Sequence, residues 1–357
     1  MPIDLTDQKV FVLGAGVSGL AAARLLRHIG AIPIVVEDED AARAKASDIA
    51  DSVLTMAEAE DALSEAALVV TSPGIPPHHP FFTATTAANV PVWGDVELCW
   101  HVDKASLCGP SRVWLAVTGT NGKTTTVGMT TAICQQAGMS AVACGNIGYP
   151  IEEALLDPNH PDVLVCELSS FQLHWAPSVK PLAGALLNID EDHLDWHGSV
   201  EAYAADKARV LNGLYAIVGL DDPRAAAAGD ECSAQFVIGF RAGEPVRGQI
   251  GVHENGLFDN AFGPNDAARF LIECADIHPA GPAGVLDAGA AAALAMAAGA
   301  MPQDVNDALK DFVVAPHRNA VVTTIDGITY VDDSKATNPH AARSSMPVSY
   351  THLTLPT

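Results

Sequence analysis

Basic residues are scarce in this sequence. Its 357 residues include 19 Lys and Arg against 43 Asp and Glu, which gives a formal net charge of −24 at pH 7. Such a chain repels the phosphates of nucleic acids and of anionic membranes, so we expect neither as a partner. Anionic substrates must therefore be held by locally placed cations, by helix N-termini or by metal ions.

Cysteine pairs with metal-binding or redox spacing are also absent. The seven cysteines are scattered, none forms a C-x-x-C pair, and their number is odd. This pattern is typical of reduced core residues rather than of a disulfide framework or a zinc site. The N-terminus lacks a basic stretch followed by an apolar run, and the Ala-rich segment 288–301 is too short to span a bilayer. We expect a cytoplasmic enzyme of two or three domains, and a monomer.

The segment 116-AVTGTNGKTTT-126 has the features of a phosphate-binding loop. The apolar run 113-VWLAV-117 before it predicts a buried strand, and a run compatible with a helix follows Lys123. Gly119 and Gly122 allow the backbone to turn so that successive N–H groups face a phosphate. A strand, a glycine loop and a helix in this order predict an ATP site.

Two side chains of this loop carry the expected chemistry. Lys123 supplies a point charge to the β- and γ-phosphate oxygens, and Thr124 supplies a hydroxyl to Mg²⁺. The loop is shorter than the general pattern G-x-x-x-x-G-K-[ST], because Val117 stands where that pattern has its first glycine. The residues that we expect to bind ATP here are Gly119, Thr120, Asn121, Gly122, Lys123, Thr124 and Thr125.

A second glycine-rich turn lies near the N-terminus. The stretch 9-KVFVLGAGVSGLAAARLLRHIGA-31 predicts a strand, a turn of the form G-x-G-x-x-G and a helix. A diphosphate can lie on the helix N-terminus at residues 16–19. The next predicted strand, 32-IPIVVED-38, ends in acidic residues where a Rossmann fold carries its ribose ligand. By default this fingerprint indicates a nicotinamide or flavin cofactor, but it does not identify the molecule that carries the diphosphate.

Polar residues follow two further predicted strands. The strand 162-DVLVCELSS-170 contains Glu167, which is costly to bury without a cation partner. The stretch 183-AGALLNIDEDHLDWHGSVEAYAADKARVL-211 predicts a strand that leads to His193 and then a helix that carries Lys207. Taken singly, the histidine could be a capping or surface residue and the lysine a solvated one. Their position after an ATP loop favours a role in ligand binding.

Together these segments resemble the Mur ligase family, and within it the members that add D-glutamate to UDP-N-acetylmuramoyl-L-alanine. The shared motifs occur in the family's order over residues 9–343, nearly the whole chain. They are GAGVSGLAAARLL, SPGI, TGTNGKTTT, GNIG, ELSSFQL, LNIDEDHLDWHGS, YAADKARV, PHR and YVDDSKATNPHAA. The motif SPGI and the N-terminal glycine turn point to the D-glutamate-adding members.

The resemblance implies an α/β protein with three parts. These are a Rossmann-like domain for the UDP substrate at 1–108, a central P-loop ATPase-type domain at 109–316, and the start of a C-terminal Rossmann-like domain at 317–346. Residues 347–357 no longer resemble the family, and we interpret them as a foreign tail.

The C-terminal part is short for a domain. From His317 onward 41 residues remain, whereas a free-standing α/β domain usually needs on the order of 100. They predict two strands, 320-AVVTTI-325 and 328-ITYVD-332, joined by Asp326-Gly327. Because the family binds D-glutamate largely in this domain, we expect the 357-residue chain to form the amide poorly.

The resemblance also implies which residues bind the UDP substrate, at its diphosphate, its uracil and its muramoyl-alanine end. They are Gly16, Val17, Ser18 and Gly19 for the diphosphate, Glu37 and Asp38 for the uracil, Ser72, Pro73 and Gly74 along the nucleotide, and Asn146 for the muramoyl-alanine end.

ATP and two Mg²⁺ ions are the implied cofactors. Thr124 and Glu167 match ligands of one ion, His193 matches a ligand of the second, and Lys207 matches a lysine that the family carries as a carbamate. A carbamate offers anionic oxygen donors, which an ammonium group does not. The implied catalytic residues are Lys123, Asn146, His193 and Lys207. Further implied ATP contacts are Asn188 near the phosphates and, from the third part, Arg318, Asp333 and Lys335.

The implied reaction is an ATP-dependent ligation in peptidoglycan precursor synthesis. The alanyl carboxylate attacks the γ-phosphorus to give an acyl phosphate and ADP, and the D-glutamate amine then displaces phosphate. One departure from the family concerns adenine, since Ala283, Gly284 and Asp287 replace polar residues that contact the base in many members. Two alternatives stay open, a non-catalytic nucleotide-binding fragment and an NAD-dependent dehydrogenase. The dehydrogenase is favoured only by the N-terminal glycine turn.

Overall fold

The computed structural model describes residues 4–263, 267–315 and 320–335. Of the predicted site residues, Arg318 lies outside these ranges. The described residues pack into two compact units. The first contains residues up to 114 together with 140–181 and 192–210, and the second contains 115–139, 182–191 and residues from 211 onward. The domain boundaries given above remain predictions.

A five-stranded, fully parallel sheet forms the core of the first unit. Its strands follow the order β3-β2-β1-β4-β5. The central strands are almost continuous aliphatic runs with both faces buried, as expected for a parallel sheet covered by helices. The strands are β1 (Lys9–Leu13), β2 (Ile32–Val36), β3 (Ser52–Leu54), β4 (Leu68–Thr71) and β5 (Val92–Gly94).

The first unit also contains a parallel pair of strands and most of the shorter helices. The pair is β7 (Ala141–Gly145) and β8 (Val163–Glu167). Labels follow chain order across both units. The helices are α1 (Val17–His28), α2 (Asp40–Ala46), α3 (Met56–Asp61), α4 (Pro80–Ala87), α5 (Asp95–Lys104), α7 (Ile151–Leu156), α8 (Ser170–His174), α9 (Leu194–His197) and α10 (Val200–Ala208).

In the second unit, seven strands follow the order β14-β13-β12-β11-β10-β9-β6. Neighbours from β6 to β12 are parallel, and β12, β13 and β14 are antiparallel. The strands are β6 (Val113–Thr118), β9 (Ala183–Leu186), β10 (Tyr215–Gly219), β11 (Phe236–Arg241), β12 (Gln249–His253), β13 (Gly256–Asp259) and β14 (Arg269–Glu273).

Four α-helices of the described residues belong to the second unit. They are α6 (Lys123–Gln136), α11 (Pro223–Glu231), α12 (Pro282–Ala297) and α13 (Pro302–Lys310). Helix α12 carries most of the Ala-rich segment, and it packs against α6. Its buried alanines are Ala288, Ala290, Ala291, Ala292, Ala293 and Ala295. Small side chains permit this close approach of the two helix backbones. Among the described residues, no helix is long and apolar enough to cross a membrane.

An antiparallel hairpin ends the described chain. It consists of β15 (Ala320–Ile325) and β16 (Ile328–Asp332), with the bounds that the sequence predicts. The connecting Asp326 and Gly327 have φ angles of 52° and 81°, which suit the two-residue turns that match the twist of paired strands. With its parallel sheets and covering helices, the structure confirms the predicted α/β class. All seven cysteines are free, and five of them are buried.

Candidate active site

The N-terminal glycine turn leaves the backbone at the start of α1 open to a ligand. Gly14 has a φ of 93°, in the region that favours glycine. A Cβ added to Gly19 would lie 2.0 Å from the carbonyl oxygen of Gly14, so the strand and the helix meet too closely for any side chain. The residue before the helix, Gly16, provides no side-chain cap. The first N–H groups of α1 therefore form an anion-binding end.

Glu37 and Ser72 lie against this turn. The Oε2 atom of Glu37 accepts a hydrogen bond from the backbone N–H of Ala15 at 2.9 Å, and Ser72 donates its hydroxyl hydrogen to the carbonyl of Leu13. Burial acts to raise the pKa of Glu37, but hydrogen bonds from the backbone and the charge of Arg43 outweigh it and lower that pKa. The ends of β1, β2 and β4 thus bring predicted UDP-substrate residues together.

Other predicted residues of this group lie at the surface of the same region. The side chain of Val17 is 71% exposed. A Cβ added to Gly16 or Gly74 would meet no heavy atom within 4 Å, so open space faces both residues. Asp38 is exposed, but its Oδ1 accepts a hydrogen bond from the backbone N–H of Met56 at 2.9 Å. Pro73 is half-buried beside Gly74.

Asn146 and Glu167 are held together where β7 and β8 end. The side-chain amide of Asn146 donates to Oε1 of Glu167 at 3.0 Å, and its backbone N–H donates to the Glu167 carbonyl at 2.9 Å. Gly145 makes this possible, since a Cβ at that position would lie 2.3 Å from the same carbonyl oxygen. Glu167 is only 3% exposed. A buried carboxylate of this kind calls for hydrogen-bond donors or a cation.

Lys207 is buried rather than solvated, which removes one of the simpler interpretations of the sequence. It is 2% exposed on α10, and its Nζ lies 4.7 Å from the centre of the Tyr203 ring. His193 precedes α9 in a left-handed conformation, with φ 51° and ψ 35°, and makes no side-chain cap. Its ring lies 4.8 Å from that of Phe171 and remains about half exposed. A non-glycine residue in this conformation is strained, which is common at functional sites.

A buried network next to Lys207 has no counterpart among the sequence motifs. Oxygens of the Asp206 carboxylate lie 2.9 Å from His174 Nδ1 and 3.0 Å from His197 Nδ1. Because a carboxylate only accepts, both Nδ1 atoms carry protons, and His197 Nε2 can accept from the hydroxyl of Ser170 at 2.9 Å. Burial alone would raise the pKa of Asp206, but hydrogen bonds from both histidines, with the charge of Arg209, lower it to about 2.

The phosphate loop of the second unit has the predicted form. β6 leads into the loop and α6 begins at Lys123, after Gly122 in a left-handed conformation with φ 87°. Gly122 provides no side-chain cap, and the Nζ of Lys123 donates to the carbonyls of Gly119 and Thr120 at 2.9 and 3.0 Å. A Cβ on Gly119 would lie 2.9 Å from the Cβ of Leu187. The loop therefore combines a positive charge with a helix N-terminus.

Asn188 fixes the shape of this loop. Its Oδ1 accepts from the backbone N–H of Asn121 at 2.9 Å, and its Nδ2 donates to the Asn121 carbonyl at 3.2 Å. Thr120 is tied in a similar way, because its hydroxyl accepts from the backbone of Asp190 at 3.0 Å. Thr125 is buried at the start of α6, and Thr124 is half-buried. Asn188 thus holds the loop backbone through hydrogen bonds. Its contact with phosphate is still a prediction.

The residues that depart from the family pattern lie on α12. Asp287 is buried, and its Oδ1 accepts from the hydroxyl of Thr126 at 3.3 Å. A Cβ on Gly122 would lie 2.3 Å from the same oxygen, so Asp287 packs directly behind the phosphate loop. Gly284 cannot carry a side chain, because its Cβ would lie 1.7 Å from the Pro279 carbonyl oxygen. Position 287 therefore supports the loop.

Two predicted ATP residues follow the hairpin. Asp333 is half-buried and Lys335 is exposed, immediately after β16. Across residues 4–263, 267–315 and 320–335, no group of three or more His, Cys, Asp and Glu side chains has a metal-binding arrangement. The predicted magnesium ligands are a different kind of set, since two of the four are a threonine hydroxyl and a lysine carbamate.

Family models match both halves of the described fold. The model of the Mur ligase MurD-like N-terminal domain matches residues 8–94, and the model of the Mur ligase middle domain matches residues 117–262. The chain is 52% identical over 343 residues to the UDP-N-acetylmuramoylalanine–D-glutamate ligase of Nocardia farcinica, covering 96% of this chain and 71% of that protein. It is 52% identical to the protein of the same name from Mycolicibacterium vanbaalenii, with 94% and 69% covered.

Solved structures of more distant proteins share the fold. A MurF structure from Acinetobacter baumannii matches with a TM-score of 0.59 and 18% identity, covering 95% of this chain and 70% of that one. The UDP-N-acetylmuramate–alanine ligase MurC of Thermotoga maritima matches with a TM-score of 0.54 and 19% identity, with 96% and 77% covered. At such identities the likeness concerns the fold alone.

Proposed function

Because this chain belongs to the Mur ligase family, ATP-dependent ligases of peptidoglycan precursors, we propose that it joins D-glutamate to UDP-N-acetylmuramoyl-L-alanine. The observation that carries the proposal is the identity of 52% to ligases of that name over nearly the whole chain. The two anion-binding helix ends, one in each unit, support it, since the reaction needs one site for a UDP diphosphate and another for ATP.

The phosphate loop fits ATP. Its glycines are packed too tightly to carry side chains, and Gly122, which precedes α6, has no side chain to cap the helix. Lys123 would move from the loop carbonyls of Gly119 and Thr120 towards the phosphates, where it offsets charge on the transferring group. The two hydrogen bonds between Asn188 and the Asn121 backbone keep the loop in shape while this exchange occurs.

Oxygen donors for Mg²⁺ are available among the predicted residues. The proposed ligands are Glu167, His193 and, as a carbamate, Lys207 in the first unit, and the hydroxyl of Thr124 in the second. Bound Mg²⁺ offsets the negative charges of ATP and of the attacking carboxylate. Lys207 is buried, so a carbamate on its Nζ would be shielded from bulk solvent.

The reaction has two steps. An oxygen of the alanyl carboxylate attacks the γ-phosphorus, the bond to the β-phosphate oxygen breaks, and ADP leaves. The D-glutamate amine then attacks the acyl carbon and inorganic phosphate leaves, with loss of the amine proton to solvent. Asn146, which orients Glu167 in the structure, would meet the muramoyl-alanine end of the substrate.

Calorimetric titration separates this proposal from a dehydrogenase. We expect UDP-N-acetylmuramoyl-L-alanine to bind the chain and NADH not to bind. Mg²⁺-ATP should bind as well, and Lys123→Ala should abolish that binding. Lys180→Ala, which removes an exposed lysine, is the matched control and should bind Mg²⁺-ATP normally. Binding of NADH without binding of the UDP compound would contradict the proposal.

A further inference from the structure

A small cavity lies behind the N-terminal glycine turn, within the first unit. Its volume is about 10 Å³, roughly the space of one water molecule. Ser18, the second residue of α1, forms part of its wall. Two acidic side chains also line it, Asp95 from the first turn of α5 and Glu152 from α7. They are 4% and 2% exposed, so a pair of carboxyl groups is buried beside the diphosphate-binding turn.

The two carboxyl groups differ in the hydrogen bonds that they accept. Asp95 accepts from the backbone N–H of Val96 at 2.9 Å and from the side-chain amide of Gln172 at 3.2 Å. The hydroxyl of Ser18 also acts on it as a hydrogen-bond donor. Glu152 differs, because its Oε1 has no hydrogen-bond partner among the described residues, although the side chain is buried in the cavity wall. Leaving a buried carboxylate oxygen without a hydrogen-bond donor is unfavourable, so this atom calls for a proton or a donor.

Neighbouring groups do not neutralise the pair. The charges that act on Glu152 are those of Asp95, of Glu153 on its own helix and of Arg24 on α1. The Nε of Arg24 donates to Glu153 at 2.7 Å, so that cation is already paired. Cys99 on α5 is also buried and interacts electrostatically with both carboxyl groups, but a thiol carries no positive charge.

Burial raises the pKa of both carboxyl groups. For Asp95, burial outweighs the hydrogen bonds from Gln172, Val96 and Ser18, which act in the opposite direction. For Glu152, burial and the nearby charge of Asp95 act together, and its pKa lies well above the ordinary value. Two carboxyl groups that share a buried site retain a proton between them, as a coupled pair.

We propose that Asp95 and Glu152 hold one proton between them and position the hydroxyl of Ser18 for the diphosphate of the UDP substrate. With the proton in place, the pair can donate to the oxygen of Ser18, which leaves the hydroxyl hydrogen for a phosphate oxygen. Without it, Ser18 donates inward to a carboxylate and presents lone pairs to the phosphate, next to an additional negative charge. The inference rests on the proposed function, since it takes Ser18 as a diphosphate ligand.

The test is the affinity for UDP-N-acetylmuramoyl-L-alanine as a function of pH. The diphosphate diester keeps its charge between about pH 6 and about pH 8.5, so a change in affinity reports on the protein. We expect the wild-type affinity to fall with rising pH, with a limiting slope of about tenfold per pH unit for one linked proton. Calorimetry in buffers of different ionisation enthalpy should show that binding takes up a proton.

Glu152→Gln removes the shared proton and should flatten this pH profile, because an amide donates at every pH. Asp95→Asn should flatten the pH profile as well. This variant replaces Glu152→Gln in the test if Glu152→Gln folds poorly. Glu60→Gln is the matched control, since it deletes an exposed carboxylate of α3 in the same unit and leaves the pair and its neighbours unchanged, and it should retain the slope.

A wild-type affinity that does not change with pH, or a Glu152→Gln profile with the wild-type slope, would overturn the inference alone. Failure of the UDP compound to bind at any pH would instead contradict the proposed function, and the inference with it.

Discussion

The side-chain amide of Asn146 donates a hydrogen bond of 3.0 Å to the buried carboxylate of Glu167. A second hydrogen bond, between the backbones of the same residues, fixes their relative position at the ends of two neighbouring strands. A neutral amide orients a carboxylate without cancelling its charge. The pair is thus suited to present an anionic oxygen to a cation, with Asn146 as the orienting partner.

Asn146→Ala should weaken the affinity for Mg²⁺ in the presence of ATP by about 10- to 100-fold, the usual cost of losing a residue that orients a metal ligand. Binding of ATP without Mg²⁺ should not change. Calorimetric titrations of ATP at several Mg²⁺ concentrations measure both. Asn159→Ala, on an exposed loop, is the control. An unaltered Mg²⁺ dependence in Asn146→Ala would argue against Glu167 as a metal ligand.

Adding a side chain at either of two glycines of the N-terminal turn should have different effects. At Gly16 it should reduce ligand affinity, and at Gly19 it should reduce stability. Gly16 has an ordinary φ of −76° and open space around it, so Gly16→Val should fold normally. It should nevertheless lose UDP-substrate affinity by roughly tenfold or more, because the valine occupies the place where the diphosphate meets the backbone. Gly19→Ala should be strongly destabilised, since its Cβ would lie 2.0 Å from a carbonyl oxygen.

Thermal denaturation and calorimetric titration of both variants check this pair of predictions. A Gly16→Val protein with unchanged melting temperature and unchanged affinity for the UDP compound would mean that the diphosphate binds elsewhere. A Gly19→Ala protein as stable as the wild type would mean that β1 and α1 lie further apart than the structure has them.

Asp206 should make stability depend on acid pH. Its pKa is lowered from 3.8 to about 2 in the folded chain. A carboxyl group with a lowered folded pKa stabilises the protein above its unfolded pKa, and this contribution is lost as the pH falls through the folded pKa. The difference in unfolding free energy between wild type and Asp206→Asn should therefore shrink by on the order of 2 kcal/mol between about pH 5 and about pH 2.

Urea unfolding at a series of pH values measures that difference. A gap between the two proteins that stays constant over this range would show that the two histidines and Arg209 do not stabilise the ionised form of Asp206. The pH-independent part of the gap reports on packing and does not bear on the prediction.

Lys207→Ala should lose Mg²⁺-dependent release of ADP and regain part of it with added short carboxylates, which can supply the missing oxygen donors. In the wild-type protein, ¹³C-labelled carbon dioxide should give a carbamate signal in NMR spectra that Lys207→Ala lacks. Lys180→Ala should keep the signal, because that lysine is exposed. Identical spectra for wild type and Lys207→Ala would contradict carbamylation.

The sequence predicts most of the features that local chemistry determines. The strand before the phosphate loop, the helix that begins at Lys123 and the two final strands joined by Asp326-Gly327 all appear in the structure. In each case a short run of residues contains both the pattern and its physical cause. A glycine with positive φ, a buried strand and an uncapped helix end need no distant partner to be recognised.

Features that depend on distant partners could not be predicted in this way. Glu152 lies in a short helix whose sequence, Ile-Glu-Glu-Ala-Leu-Leu, does not reveal which glutamate is buried. No local sequence pattern identifies Asp206 as part of a network, because its partners lie on other helices. His174 is at the end of α8 and His197 is at the end of α9. Packing of separate elements creates these groups of residues, so only the folded structure reveals them.

Trapping with hydroxylamine tests the central claim most directly. If the chain transfers the γ-phosphoryl group of ATP to the alanyl carboxylate, hydroxylamine should attack the acyl phosphate and release inorganic phosphate. With UDP-N-acetylmuramoyl-L-alanine, Mg²⁺-ATP and hydroxylamine, we predict the alanyl hydroxamate, together with one ADP per hydroxamate, and neither product from Lys123→Ala. Absence of both hydroxamate and ADP under conditions in which the wild-type chain binds both substrates would contradict the account.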